Sequence, residues 1–240
     1  MTLPTSEPAA KSALRRQLLR SRRAVPAVVR ADDARALAGW MAGLCGTVCA
    51  YVPIGSEPGS VESKLPGSVE SEPESIRPEP GTIGPEPGSI GPEPESIGPE
   101  PGASGSVAML DALVAAGCTV LLPVVTGPEP LDWAVYQGPS ALTVARFGLL
   151  EPLGPRLGVS AVSAVSTVLV PALAVDRLGV RLGRGGGHYD RTLPLAGRGA
   201  ELIAVVRDSE LVDALPREPH DIPMTAALTP TAGLTPLGTR

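Results

Sequence analysis

Apolar positions along the chain recur in two rhythms. In "SEPAAKSALRRQLLRSRRAV" (6–25), Leu14, Leu18 and Leu19 fall on one helical face, with Lys11 and Arg15 one turn apart. Ser6 is a candidate N-cap, and Pro8 suits a first turn. A second helix is expected over 30–43, and "VAMLDALVAAG" (107–117) predicts an amphipathic helix ended by glycine. The other rhythm is the short apolar run of a buried strand. It occurs at "TVCAYV" (47–52), "TVLLPVV" (119–125), "LDWAVY" (131–136), "STVLVPALAV" (166–175) and "ELIAVVRD" (201–208). Short apolar runs alternating with helices predict an α/β fold, with a parallel or mixed sheet covered by helices.

One stretch obeys neither rhythm. From Ser71 a seven-residue unit recurs: "SEPESIR", "PEPGTIG", "PEPGSIG", "PEPESIG", "PEPGASG". Each unit carries proline, which costs roughly 3 kcal/mol in a helix interior, so a heptad coiled coil is excluded. Residues 58–105 are therefore expected to be a disordered, Pro/Glu/Gly-rich insert interrupting a single domain that spans 1–240. Removing it joins the strand at 47–52 to the helix at 107–117 with ordinary β-to-α spacing. The insert is thus placed in one βα loop, at the sheet edge where ligands commonly bind.

Charge supports this division. Residues 57–105 hold ten glutamates against Lys64 and Arg77, a balance of −8 in a chain of net charge −5, so the other 191 residues sum to +3. The acidity belongs to the repeat, and no nucleic-acid partner is expected. No apolar run approaches the ~20 residues of a membrane span, so no membrane partner is expected either. With hydrophobic residues at 43% and only six aromatics, the core must be Leu, Val, Ala and Ile. Cys45, Cys49 and Cys118 form no CxxC pair. They read as reduced thiols filling space in a cytoplasmic protein, expected to be a monomer. Trp133 reads as core rather than as a stacking platform.

The chemistry concentrates in "RLGRGGGHYDR" (181–191), where four of the five residues 183–187 are glycine. Glycines allow successive amides to point into one concavity, and Arg181 and Arg184 add full positive charges. A helix opening at Tyr189 would favour the same anion. Asp190 suits such a place if a cation such as magnesium sits between it and phosphate oxygens. Neither GxxxxGK[ST] nor a full dinucleotide fingerprint is present, so spacing alone leaves an anion site and a structural turn both open.

The stretch "VLVPALAVDRLGVRLGRGGGHYDRTL" (168–193) resembles the signature of the 5-formyltetrahydrofolate cyclo-ligase (methenyltetrahydrofolate synthetase) family. "KSALRRQLLRSR" (11–22), "YVPIGSEPGS" (51–60), "GLLEPLG" (148–154) and "EPHDIPMTAALTP" (218–230) resemble further family blocks, in the family's order. The resemblance implies a three-layer αβα sandwich with a mixed, mostly parallel, Rossmann-like sheet. It also implies an enzyme of one-carbon metabolism that uses ATP and Mg2+ to cyclise 5-formyltetrahydrofolate to 5,10-methenyltetrahydrofolate, releasing ADP and phosphate. The formyl oxygen would take the terminal phosphoryl group, and N10 would then displace phosphate. Positioning and charge neutralisation would do most of the work.

Carried over by position, the resemblance implies that Lys11, Arg15, Arg181, Leu182, Gly183, Arg184, Gly185, Gly186, Gly187, His188 and Tyr189 bind ATP. Val52, Glu57, Arg184, Gly185, Gly186, Gly187 and His188 would contact the folate, Arg184 acting in catalysis, and Asp190 and Asp221 would hold magnesium. The residues alone leave blander readings open. Lys11 and Arg15 would suit a solvated helix face, Glu57 the acidic insert, and Asp221 a turn. Two departures stand out: His188 replaces the family's usual tyrosine, and Pro58, Gly59 and Ser60 follow Glu57 where the family has an acidic block. A non-catalytic nucleotide or folate binder, disabled by the insert, is the alternative.

Overall fold

The computed structural model describes residues 7–60, 107–219 and 221–238. The Ser6 cap and nearly all of the repeat lie outside the described residues. The helices are α1 (Glu7–Arg23), α2 (Ala27–Met41), α3 (Ala108–Ala115) and α4 (His188–Thr192). The strands up to the glycine run are β1 (Thr47–Cys49), β2 (Thr119–Val124), β3 (Asp132–Val135), β4 (Leu142–Val144), β5 (Leu150–Pro152), β6 (Thr167–Pro171), β7 (Ala174–Asp176) and β8 (Arg181–Leu182). After it come β9 (Glu201–Val205), β10 (Leu211–Val212), β11 (Ala226–Thr229) and β12 (Gly233–Pro236).

The expected mixed, mostly parallel sheet is present. Seven strands run in the order β12-β11-β9-β6-β1-β2-β3. The inner five are parallel, and β12 and β3 close the edges antiparallel. Strands buried on both faces explain the unbroken apolar runs. Val48, Leu169, Ile203 and Leu228 pack with Leu37 and Met41 of α2 and Met109 and Leu110 of α3. Their neighbours Cys49, Val168, Val170, Ala204 and Ala227 face the other way, onto Trp133, Val162 and Leu193. Trp133 is fully buried core, as expected. The second covering layer is thin, made of 3-10 turns at Val159–Ala164 and Leu193–Leu195 and the five-residue α4.

The expected single strand over 166–175 is instead two. Pro171 ends β6, and the Leu173 amide donates to Leu182 O at 2.7 Å, so the chain leaves the main sheet. There β7 joins β8 and β10 in a small second sheet that carries the glycine run at its end.

Connections fix where ligands can go. From β1 the chain crosses through α3 to β2 on one side, whereas β6, β9 and β11 extend from the other side of β1. The strand order therefore reverses at β1, and such sheets leave a crevice outside the carboxyl ends of the strands there. Helix α1 is tied across this edge. Arg22 makes two bonds to the Glu210 carboxylate, at 2.6 and 2.7 Å, and a third to Ala172 O at 2.5 Å.

Candidate functional site

Three segments meet at the crevice: 50–60 after β1, the glycine run after β8, and the loop around 218–221. Helix α1 lies beside them and presents Lys11 and Arg15 to one place, as their spacing requires. Arg15 Nε donates to Gly183 O at 3.0 Å. Lys11 is buried, and its Nζ donates to Glu218 Oε2 at 2.7 Å and Asp221 Oδ2 at 3.1 Å. Burial opposes the Lys11 charge, but these two carboxylates outweigh it and raise the amine above its ordinary range. Neither residue lies on a solvated face.

Within the glycine run, two positions need glycine for conformation. Gly185 (φ 101°) and Gly187 (φ 70°) occupy backbone that L side chains rarely adopt. A Cβ on Gly185 would make only ordinary contact with the Arg15 guanidinium, 3.6 Å away, so it is the backbone conformation that calls for glycine there. Gly187 starts α4, so the helix opens one residue earlier than Tyr189. Leu182 turns its side chain into the core and has only its backbone to offer a ligand.

Arg181 is held by the Asp190 carboxylate and stands 5.7 Å from the centre of the Tyr189 ring. Burial lowers the Arg181 pKa, with Asp190, Tyr189 and Asp221 opposing that shift electrostatically. Of the two candidate metal carboxylates, Asp190 contacts this guanidinium and Asp221 acts on it only electrostatically. Their surroundings differ: Asp190 is 40% exposed, whereas Asp221 is 13% exposed and accepts the Glu218 amide at 2.7 Å. Among the described residues no three His, Cys, Asp or Glu side chains form a metal cage. Two carboxylates beside a glycine run are nonetheless a fitting donor set for magnesium, which commonly binds one or two carboxylates plus substrate phosphates. His188 is pulled below its usual range by burial and by Arg191.

The other half of the crevice is the loop after β1. Glu57 is 7% exposed and accepts the Ile54 amide at 3.0 Å, a turn that aims its carboxylate inward. Its other oxygen meets Arg184 of the glycine run at 3.3 Å. Glu57 thus belongs to the folded site, not to the acidic repeat. Val52 is buried in the cluster with Met109 and Leu110, so it borders the crevice from the core side.

Sequence reasoning missed the residues that brace this arrangement. Arg207 donates to Asp33 on α2 at 2.8 Å and to Ser56 O at 3.0 Å, pinning the loop that carries Glu57. Arg22 lies on the same helical stripe as Lys11 and Arg15, at i+11 and i+7, and that spacing was its available signal. Glu210 and Glu218 had none, because only the fold brings them to Arg22 and Lys11.

Comparisons with known proteins point to one family. The 5-formyltetrahydrofolate cyclo-ligase family matches residues 96–230. A 5-formyltetrahydrofolate cyclo-ligase from Mycolicibacterium smegmatis is 43% identical over 238 residues, covering 96% of this chain and 98% of the relative. One from Escherichia coli is 34% identical over 126 residues, 51% of this chain and 69% of the relative. Among solved structures, the Aquifex aeolicus 5,10-methenyltetrahydrofolate synthetase superposes with a TM-score of 0.62 at 22% identity, covering 94% of this chain and 92% of the other. A Mycoplasma pneumoniae 5,10-methenyltetrahydrofolate synthetase gives a TM-score of 0.56 at 15% identity, covering 90% and 96%. At these identities the two structures speak for the shared fold.

Proposed function

This chain belongs to the 5-formyltetrahydrofolate cyclo-ligase family, and we propose that it cyclises 5-formyltetrahydrofolate to 5,10-methenyltetrahydrofolate, using ATP and Mg2+ and releasing ADP and phosphate. The observation that carries the reading is the Arg184–Glu57 contact at 3.3 Å. It joins a glycine run suited to phosphates with a buried carboxylate suited to the N–H donors of a pterin. Two ligands held by these segments would meet at Arg184.

Residue roles follow from the surroundings. Lys11, Arg15 and Arg181, with the amides of 183–187, would neutralise and hold the triphosphate, flanked by His188 and Tyr189. Asp190 and Asp221 would hold magnesium, whose positive charge would offset that on the transferring phosphoryl group. Arg184 is 35% exposed, so it can leave Glu57 for the developing phosphate charge when a pterin takes its place. No strong general base is needed, because transfer of the phosphoryl group to the formyl oxygen creates the leaving group. Residues 58–105 are proposed as an insert in the β1–α3 connection, outside this chemistry.

The test is direct. Purified protein with ATP, Mg2+ and 5-formyltetrahydrofolate should raise the near-ultraviolet absorbance of the methenyl product. ATP binding without any rise would overturn the reading in favour of a non-catalytic binder.

A further inference from the structure

Glu57 sits in a turn whose internal bonds set its shape but not its place. The Glu57 amide donates to Ile54 O at 3.1 Å, and the Glu57 carboxylate accepts the Ile54 amide at 3.0 Å, so the turn closes on itself. At its corner Gly55 is exposed, holds φ at 55° and has nothing within 4 Å of where a side chain would start. Such a residue loses much conformational freedom on folding and brings no packing to steady the turn. The tie at this corner is Arg207, whose Nη1 donates to Ser56 O at 3.0 Å. That carbonyl shares a rigid peptide plane with the Glu57 amide, so holding the oxygen fixes how the chain enters Glu57.

Arg207 is itself held from two sides. Its Nε donates to Asp33 Oδ2 of α2 at 2.8 Å, and its backbone amide donates at 2.8 Å to Glu210 Oε2, on the carboxylate that Arg22 grips. Its Nη2 is buried and, among the described residues, has no hydrogen-bond partner. Buried donors are nearly always paired, so this guanidinium does not lie where its own donors are best satisfied. The bonds to Asp33 and Ser56 O decide where it lies. Resting on the cyclo-ligase reading, we propose that Arg207, oriented by Asp33, is a positioning residue for the folate, setting the Glu57 carboxylate where the pterin's N–H groups meet it. The nucleotide side is secured by other contacts, from Lys11 to Glu218 and Asp221 and from Arg15 to Gly183 O. Lysine in place of Arg207 would keep the charge but carry a single nitrogen, which cannot serve Asp33 and Ser56 O with the geometry of the guanidinium fork.

The experiment compares the full-length wild type with Arg207→Lys, Asp33→Asn, Glu57→Gln and the double variant Arg207→Lys with Glu57→Gln. Calorimetry gives dissociation constants for 5-formyltetrahydrofolate and for ATP with Mg2+; thermal melts report the fold. Arg207→Lys and Asp33→Asn should each weaken folate binding about tenfold and leave ATP affinity within about twofold. In the Glu57→Gln background, Arg207→Lys should cost less than about twofold more, because the group it positions is already lost. A merely structural role predicts similar losses for both ligands, or losses that multiply in the double variant. Either result overturns the assignment, as does unchanged folate affinity. Failure of both Arg207→Lys and Asp33→Asn to fold overturns it too, giving the pair to stability. Folate binding without turnover would defeat the proposed activity alone, and the dissociation constants would still decide Arg207. A wild type that binds ATP but no folate would defeat both.

Discussion

Asp190 would serve two demands under the proposed activity. Its carboxylate holds Arg181 next to the glycine run, yet it remains 40% exposed and free to take a cation. Asp190→Asn keeps an acceptor for Arg181 but removes the negative charge magnesium would need. Its kcat/KM should fall about a hundredfold or more with the melting temperature little changed, whereas Glu95→Ala in the repeat should leave both alone. Equal losses in the two variants would sink the metal-site assignment. The glycine run was legible at this scale as backbone of unusual conformation, which Gly185 and Gly187 adopt, although its spacing left an anion site and a structural turn both open. Lys11 was half legible: its i, i+4 relation to Arg15 gave the direction, but the carboxylates that bury it are more than 200 residues away.

Among the elements, α1 determines whether the site exists. Its central contact is the buried Arg22–Glu210 pair, extended by the bond to Ala172 O. Burial works against the Arg22 charge, but the Glu210 bonds outweigh it and keep the guanidinium protonated. Removing one partner strands a buried charge, so Arg22→Met or Glu210→Met should cost about 3–5 kcal/mol in denaturant unfolding. The double variant should cost clearly less than the two singles together, because neither charge is then left alone. Additive losses would show that the pair is not coupled. Short strands explain most of what the sequence hid among the elements. β8 and β10 have two residues each, too few for a period to register.

On the scale of the molecule, the repeat is set between two segments that belong to the fold. Ser60 is 2% exposed on one side, and on the other Val107 packs against the α2–α3 cluster. Loop-closure entropy changes slowly with length, about 0.6 kcal/mol per doubling, so a long insertion here is tolerable. Deleting residues 61–103 should therefore leave the melting temperature within a few degrees and turnover within about threefold. Loss of turnover in a folded deletion variant would mean that the repeat takes part in the reaction. By itself the sequence determined the α/β class, the alternation that buries the sheet on both faces, and the glycine run, because periodicity and conformational freedom are local properties. Only the tertiary structure decided that β7 leaves the main sheet, that Arg184 reaches Glu57, and that Lys11, Arg22 and Arg207 are anchored by distant carboxylates. Those contacts join segments far apart in the chain, and a buried charge finds its partner only once the sheet has brought both to the same edge.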